Sequence, residues 1–488
     1  MERLTVMDRK QFLTGAAATV AAAFTGSWSY ADPIETPPSD IVVTVDPHRK
    51  RHLVSPSITG LSYEMAQLGN PDFFSAQNKD LVSLFRRLSN HGVLRLGGNT
   101  VEFTDWNPDH PTSTQTPLAT TTVGHRVHRR TPITQTAIDN LAQFLTATGW
   151  SLIYGLNLGT GTPESAADEA KYVSKAVGKS LVAFQIGNEP DLFRVTGQRT
   201  PDWAYQDYFA EWTQFADAIL QENPGLPLAG PDVANNQSWL SQFAEAANDR
   251  IVLLTAHYYA EGPPSSPRAT IDTLLHQSPK LQKDISGESK AMNSSGLPFR
   301  MSESNSCYNG GKTDVSDTFA SALWGADYML ELAQAGQTGV NFHGGGNGSY
   351  TPIAGSLADG FTARPLYYGI LFAQQFAGMS LLETSIGTSA ANVTAYAAHS
   401  KDSHLIALFN KDIDTAHTFQ VVTGSNEASA RMWSLAAPVI DAKAGVTLAG
   451  AAVGPDGSWS PAYTSIAAAT PGQFQVLVPA GSAALLFV

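Results

Sequence analysis

The feature that most constrains this chain is a repeated alternation between residues 53 and 375, where short apolar runs give way to stretches with apolar residues at helical spacing. The runs begin near Ile58, Val93, Leu152, Leu181, Leu228, Ile251, Phe299 and Val340. Leu181–Ile186 is nearly continuous in apolar residues, which suits a strand buried on both faces of a sheet covered by helices. Between the runs, Tyr205, Tyr208, Phe209, Trp212, Ala216 and Ile219 fall on one helical face. Ile138, Leu141 and Leu145 make a similar stripe, with Thr134 placed to cap it and Gly149 beyond its end. Eight such alternations predict an α/β fold, a (β/α)8 TIM barrel over residues 53–375. An open doubly wound sheet competes, but no G-x-G-x-x-G follows the first strand.

From residue 376 to 488 the pattern changes. Leu405–Phe409, His417–Thr423, Arg431–Leu435, Val446–Ala449, Phe474–Val478 and Ala483–Val488 are short strand-like runs separated by Gly, Pro, Asn and Asp, which predicts a C-terminal all-β sandwich. Residues 32–52 read as a Pro- and Ser-rich linker, then a strand from Asp40 that joins this sandwich. Residues 1–31 read as an export signal peptide. Arg9-Lys10 precede an apolar, Ala-rich stretch, and Ser29-Tyr30-Ala31 offers a cleavage site ahead of Asp32. The Arg-Lys pair resembles a twin-arginine signal and leaves the general secretory route open. The expected product is a periplasmic or secreted monomer with no membrane span after signal cleavage.

Composition narrows the function. With 30 Lys+Arg against 43 Asp+Glu, the formal net charge is −13, so a polyanion such as nucleic acid meets net repulsion. A single cysteine, Cys307, excludes an internal disulfide framework, and no Cys/His cluster has zinc-site spacing. Neither a metal nor a cofactor is expected.

In a barrel, functional groups sit at the carboxyl ends of the strands. Those ends carry Ser62-Tyr63-Glu64, Gly97-Gly98-Asn99, Asn157, Asn188-Glu189, Asp232 with Asn235, His257-Tyr258-Tyr259, Glu303, and His343 with Tyr350. Acids, amides and aromatic rings suit a polyol, whereas phosphate recognition would call for a Gly-rich loop with Lys. Glu189 ends the fourth strand and Glu303 the seventh, across the ring from one another. Glycoside cleavage needs such a pair: one carboxyl protonates the leaving oxygen while the other approaches the anomeric carbon from the opposite side. Taken singly, Glu189 reads equally well as a helix cap and Glu303 as a paired surface acid. Together at these positions they favour catalysis.

These residues resemble a known family. Gly187-Asn188-Glu189-Pro190 followed by Glu303 is similar to the clan of retaining barrel glycosidases. The closer likeness is to glycoside hydrolase family 79, the β-glucuronidases and heparanases, and within it to the bacterial β-glucuronidases. It rests on Leu94-Arg95-Leu96-Gly97-Gly98, Ile153-Tyr154-Gly155-Leu156-Asn157, Gly230-Pro231-Asp232-Val233, His257-Tyr258-Tyr259 and Tyr308-Asn309-Gly310-Gly311. The resemblance implies that Glu189 is the general acid/base, Glu303 the nucleophile, and Asn188 a partner of the sugar 2-hydroxyl. It implies that the loop Tyr308, Asn309, Gly310, Gly311, with Tyr259 and Tyr350, binds the uronic acid carboxylate. Asn309 departs from the family's usual Gly, yet Asn tolerates a left-handed backbone better than most residues. Glu64, Asn99 and Asn235 lie where the family contacts sugar hydroxyls. His257 is expected as a hydrogen-bonded support beside the nucleophile, not a metal ligand.

The activity implied is exo-acting hydrolysis of terminal β-D-glucuronic acid from glycans or aryl glycosides, with a carbohydrate as the only partner. A heparanase-like endo-enzyme would need basic patches along the cleft, and the compact basic runs are His48–His52 and Arg126–Arg130. Another retaining β-glycosidase of different sugar specificity is the remaining enzyme alternative. A metal-dependent barrel hydrolase would need His-x-His near the first strand, where Ser62-Tyr63-Glu64 stands. A binding protein without catalysis would have no use for both glutamates.

Overall fold

Period-two alternation along eight parallel strands decides what fills the centre of this molecule. The computed structural model describes residues 41–108, 120–123, 126–234, 236–401 and 403–488. The export signal and most of the linker expected before the first strand lie outside the described residues, as does Asn235. The strands β1 Thr59–Glu64, β2 Val93–Gly97, β3 Ser151–Leu156, β4 Leu181–Ile186, β5 Leu228–Val233, β6 Leu253–Glu261, β7 Phe299–Cys307 and β8 Val340–Gly344 close into a barrel in chain order. On β2, Leu94 and Leu96 point outward into the main hydrophobic core, while Val93 and Arg95 point inward. Inward-facing Val93, Ile153, Ala183, Ala229 and Leu253 form a separate buried cluster that plugs the floor of the barrel. One pleat higher, Arg95, Gln185 and Thr255 face inward, so the layer under the mouth is polar.

Among the described residues, each strand leads to a covering helix: α1 Lys79–Leu88, α2 Gln135–Thr148, α3 Pro163–Val177, α4 Tyr205–Glu222, α5 Gln237–Ala246, α6 Pro279–Ser295, α7 Phe319–Gln334 and α8 Pro365–Ala373. The α2 ends behave as the sequence predicts. The Thr134 side chain accepts the Ala137 N–H, and Gly149 takes φ 77° beyond the last turn. Helix α4 buries Tyr205, Tyr208, Trp212, Phe215, Ala216 and Ile219 on one face, at about 1.5–3 kcal/mol for each large side chain.

Beside the barrel lies a ten-stranded sheet, antiparallel except at one pair. Its path runs Thr447–Leu448, Ser429–Ala436, Ser482–Phe487, Ser403–Asn410, Val393–Ser400, Ser380–Ile386, Ile41–Leu53, His417–Val422 and Gln473–Val478, with Thr464–Ala467 paired to Ser429–Ala436. The sheet folds over on itself as a sandwich: Ile406, Leu408 and Leu486 share one core with Phe419, Val421 and Phe474 from the far end of the path. Ile41–Leu53 is the hinge strand, antiparallel to Ser380–Ile386 and parallel to His417–Val422. The opposite face packs on the barrel, where Phe409 meets Phe372 of α8 at 5.2 Å between ring centroids. Lys411 reaches Asp327 of α7 at 2.7 Å. No helix among the described residues is long and apolar enough to cross a membrane.

Candidate active site

A buried arginine organises the polar layer under the barrel mouth. The Arg95 side chain is 1% exposed and spends its donors on five partners. Its guanidinium donates to Glu303 Oε2 and Asp232 Oδ2, each at 2.5 Å, and to Asn188 Oδ1 at 2.8 Å. Gln185 Oε1 at 3.1 Å and Ser62 Oγ at 3.2 Å complete the set. A buried cation is tolerable only when its charge is matched and its N–H groups are bonded, and here both conditions hold. Burial opposes the charge, but Asp232 and Glu303 outweigh it and hold the guanidinium protonated.

Asp232 is the second hub. It follows Pro231 with φ 57°, where the pairing of β5 with β6 slips by one residue, and this turns its carboxylate into the barrel. Oδ1 accepts from Gln185 Nε2 and Ser302 Oγ at 2.5 Å and lies 3.1 Å from His257 Nε2. The other ring nitrogen of His257 lies 2.9 Å from Glu189 Oε1. Burial alone would depress the imidazole, yet Asp232, Glu303 and Glu189 raise it to about 10. Raised in this way, His257 stands as an imidazolium that donates to Asp232 Oδ1 and to Glu189 Oε1. Sequence analysis placed it as a hydrogen-bonded support beside Glu303; it is paired with Glu303 across β6 and β7, and its ring bonds run to Glu189 and Asp232.

Glu303, on β7, is buried and 5% exposed, which removes the surface-acid reading. Its Oε1 accepts the Tyr259 hydroxyl at 2.7 Å, and Oε2 lies 3.5 Å from His343 Nδ1. Burial would raise its pKa, but His343, His257 and Arg95 together bring it down to about 2. The group stands as a carboxylate. Glu189 is part-exposed at the end of β4, with φ 51° and ψ 50°, and it makes no side-chain cap to the turn that follows. The helix-cap reading thus fails as well. A carboxylate oxygen of Glu189 and one of Glu303 lie within 4.8 Å of each other. One oxygen of each group thus comes as close as nucleophilic displacement calls for, where the two carboxyl groups stand about 5–5.5 Å apart.

The other expected residues gather around this pair. Asn188 turns its Oδ1 to Arg95, leaving Nδ2 directed toward Asn99 Oδ1 at 3.5 Å. Glu64 accepts the Thr100 N–H at 2.8 Å and lies 3.6 Å from His343 Nε2. Tyr259 packs edge-on against Tyr308 at 6.1 Å and lies 6.5 Å from Tyr350. Asn309, Gly310 and Gly311 all take positive φ, at 56°, 88° and 83°. A Cβ on Gly311 would sit 2.6 Å from the Tyr350 backbone nitrogen, so this position requires glycine on two counts. Burial beside Glu303 keeps the Tyr259 and Tyr350 hydroxyls protonated, and they remain donors. Trp203 is core, its indole N–H bonded to Pro190 O at 2.9 Å, and Cys307 is buried.

Glu189, His257 and Glu303 also present three ligand-type atoms within 4.8 Å of one another. Both ring nitrogens of His257 are already within hydrogen-bonding distance of carboxyl oxygens, Glu189 Oε1 at 2.9 Å and Asp232 Oδ1 at 3.1 Å. Sequence reasoning missed Gln185 and Ser302; it named His343 as a strand end and Arg95 within a family motif, but gave neither a role. Only Arg95 carries a signal: a charged residue inside a buried strand demands buried acids nearby.

Comparison with known proteins agrees with this geometry. The model for the glycosyl hydrolase family 79 N-terminal domain matches residues 64–330, more than half of the chain. A β-glucuronidase of Aspergillus niger is 26% identical over 367 residues, covering 68% of this chain and 66% of that protein. A β-glucuronidase of Neurospora crassa is 32% identical over 257 residues, 46% of each chain. Mouse heparanase is 23% identical over 66% of this chain and 69% of its own. The chain thus spans less than two thirds of the length of the first two relatives. Among solved structures, a 4-O-α-L-rhamnosyl-β-D-glucuronidase from Fusarium oxysporum, in complex with Rha-GlcA, superposes with TM-score 0.72 at 18% identity, covering 92% of this chain and all of that one. An α-L-arabinofuranosidase of Thermotoga maritima gives 0.68 at 16%, covering 92% and 99%. At such identities the likeness is one of fold. The family match, spanning the barrel from Glu64 into α7, shows that this chain belongs to glycosyl hydrolase family 79.

Proposed function

We propose that this protein is a retaining, exo-acting β-glucuronidase that releases terminal β-D-glucuronic acid from glycans or aryl glycosides. The observation that carries the mechanism is the approach of one carboxyl oxygen of Glu189 to within 4.8 Å of one of Glu303. In the first step a Glu303 oxygen forms a bond to the anomeric carbon. The bond from that carbon to the leaving oxygen breaks, and Glu189 gives that oxygen its proton. In the second step water attacks the same carbon, its proton goes to Glu189, and the ester to Glu303 breaks. Asn188 Nδ2 donates to the sugar 2-hydroxyl, and Arg95 fixes the orientation of that amide.

Glucuronate recognition is assigned to the loop Tyr308–Gly311 with Tyr259 and Tyr350, which together offer hydroxyl and N–H donors to a carboxylate. The β-glucuronidase relatives support this substrate class. Exo-action is favoured over the heparanase-like alternative because the chain is net acidic and each basic run has one arginine already matched by an acid. Arg130 pairs with Asp105, and Arg51 pairs with Glu383. Turnover of aryl β-glucuronide, β-glucoside, β-galactoside and β-xyloside, each with and without chelator, tests the proposal. The glucuronide should be preferred by about 10²-fold or more. Equal rates on the glucoside would remove the specificity, and loss of rate with chelator would remove the mechanism.

A further inference from the structure

Neither step uses Glu102, a glutamate 1% exposed in the single 3-10 turn that follows β2. Its carboxylate reaches the ends of the next two strands in the ring. Oε1 accepts the Asn188 N–H at 2.6 Å, and Oε2 accepts the Gly159 N–H at 2.5 Å. Its own carbonyl accepts the Thr160 hydroxyl at 2.7 Å. Gly159 makes this approach possible, since a Cβ there would stand 2.9 Å from that of Glu102. Glu102 therefore ties the ends of β2, β3 and β4 together immediately ahead of residue 189.

What needs tying is the backbone at Glu189. A non-glycine residue at φ 51° and ψ 50° is strained by about 1–2 kcal/mol and persists only where its surroundings over-determine it. Downstream, the Glu189 N–H donates to Asp232 O at 2.9 Å and the Glu189 carbonyl accepts from Leu192 at 2.9 Å. Upstream, the Asn188 N–H on Glu102 fixes the preceding peptide. We propose that Glu102 is a positioning residue that holds the general acid/base Glu189 in its working geometry. Burial pushes the Glu102 carboxyl up to about 7 against the pull of the N–H groups of Gly159 and Asn188 and of Arg199.

This inference rests on the acid/base reading of Glu189, and its test separates the two. Glu102→Gln keeps the shape but must aim its NH2 at one of the two N–H groups, which loosens one tie. In the full chain, kcat/KM is measured with phenyl and with 2,4-dinitrophenyl β-glucuronide; this ratio reports only the first step. The phenolate leaving group needs Glu189's proton and the dinitrophenolate barely does. The expected result is a fall of about 10²-fold on the phenyl substrate and a fall within about threefold on the dinitrophenyl substrate. Equal losses on both, or no loss on either, overturn the proposal. Should the Gln variant not fold, Glu102→Asp, which keeps the charge and loses the reach, is read by the same ratio. Labelling of wild-type Glu303 by a 2-deoxy-2-fluoroglucuronosyl fluoride reports separately: absence of label removes the retaining reading, whatever Glu102 does.

Discussion

Asp232→Asn tests the buried charge network at its most connected point. Every partner of this carboxylate is a donor: Arg95 on Oδ2, and Gln185, Ser302 and His257 on Oδ1. An asparagine has one acceptor oxygen, so its NH2 must face donors in either orientation. The less costly orientation keeps the oxygen on the three-donor side and sets the amide against the Arg95 guanidinium. Breaking a buried charge pair by removing one member costs about 3–5 kcal/mol. In a chain of this size that lowers the thermal midpoint by about 3–5 °C. His257 also loses the anion that does most to keep it protonated, so its pKa falls from about 10 toward neutrality. Thermal unfolding and an NMR titration of the His257 ring read both effects. A midpoint within a degree of wild type, together with an unmoved His257 titration, would refute this reasoning.

Other outcomes follow from the same geometry. Glu189→Ala should accumulate the glycosyl-enzyme on substrates with good leaving groups, and azide should restore turnover by attacking in place of activated water; the rate with and without azide checks it. Gly311→Ala forces a Cβ onto the Tyr350 backbone and distorts the loop assigned to the uronate, so KM for a β-glucuronide should rise about tenfold or more while any β-glucoside turnover stays level. Stability should also depend on pH in a defined direction. His257 is raised from 6.5 to about 10, so its contribution is whole below 6.5 and disappears as pH climbs through 10. Glu303 is lowered from 4.5 to about 2, so its contribution is whole above 4.5 and disappears as pH falls through 2. Thermal midpoints measured across pH should decline toward both ends.

The barrel was legible because its strands are apolar runs and its helices carry stripes at helical spacing, two local patterns that chain order alone converts into an architecture. Glu189 was legible because it follows the nearly continuous apolar run of β4; Glu303 was legible from the run before it, although it lies mid-strand, not at the end expected, since β7 continues to Cys307. The strands Ser380–Ile386 and Val393–Ser400 escaped notice. Both are rich in Ser, Thr and Ala, and their identity as strands comes from pairing with Ile41–Leu53 and Ser403–Asn410. The network joining Arg95, Gln185, Asp232, His257 and Ser302 was not legible. Five strands contribute to it, and which side chains meet depends on register, including the slip that turns Asp232 inward. Asp232 and His257 were visible as strand ends, but no pattern in the chain says that one carboxylate would be shared by an arginine and a histidine.

The central claim is that one glutamate bonds to the sugar while the other handles the proton. It is tested most directly by following hydrolysis of an aryl β-glucuronide by proton NMR, with peptide mapping after treatment with the fluoroglucuronosyl fluoride. The first-formed product should be the β-anomer, and the covalent label should sit on Glu303. An α-anomer appearing first, or a label on any other residue, would contradict the account.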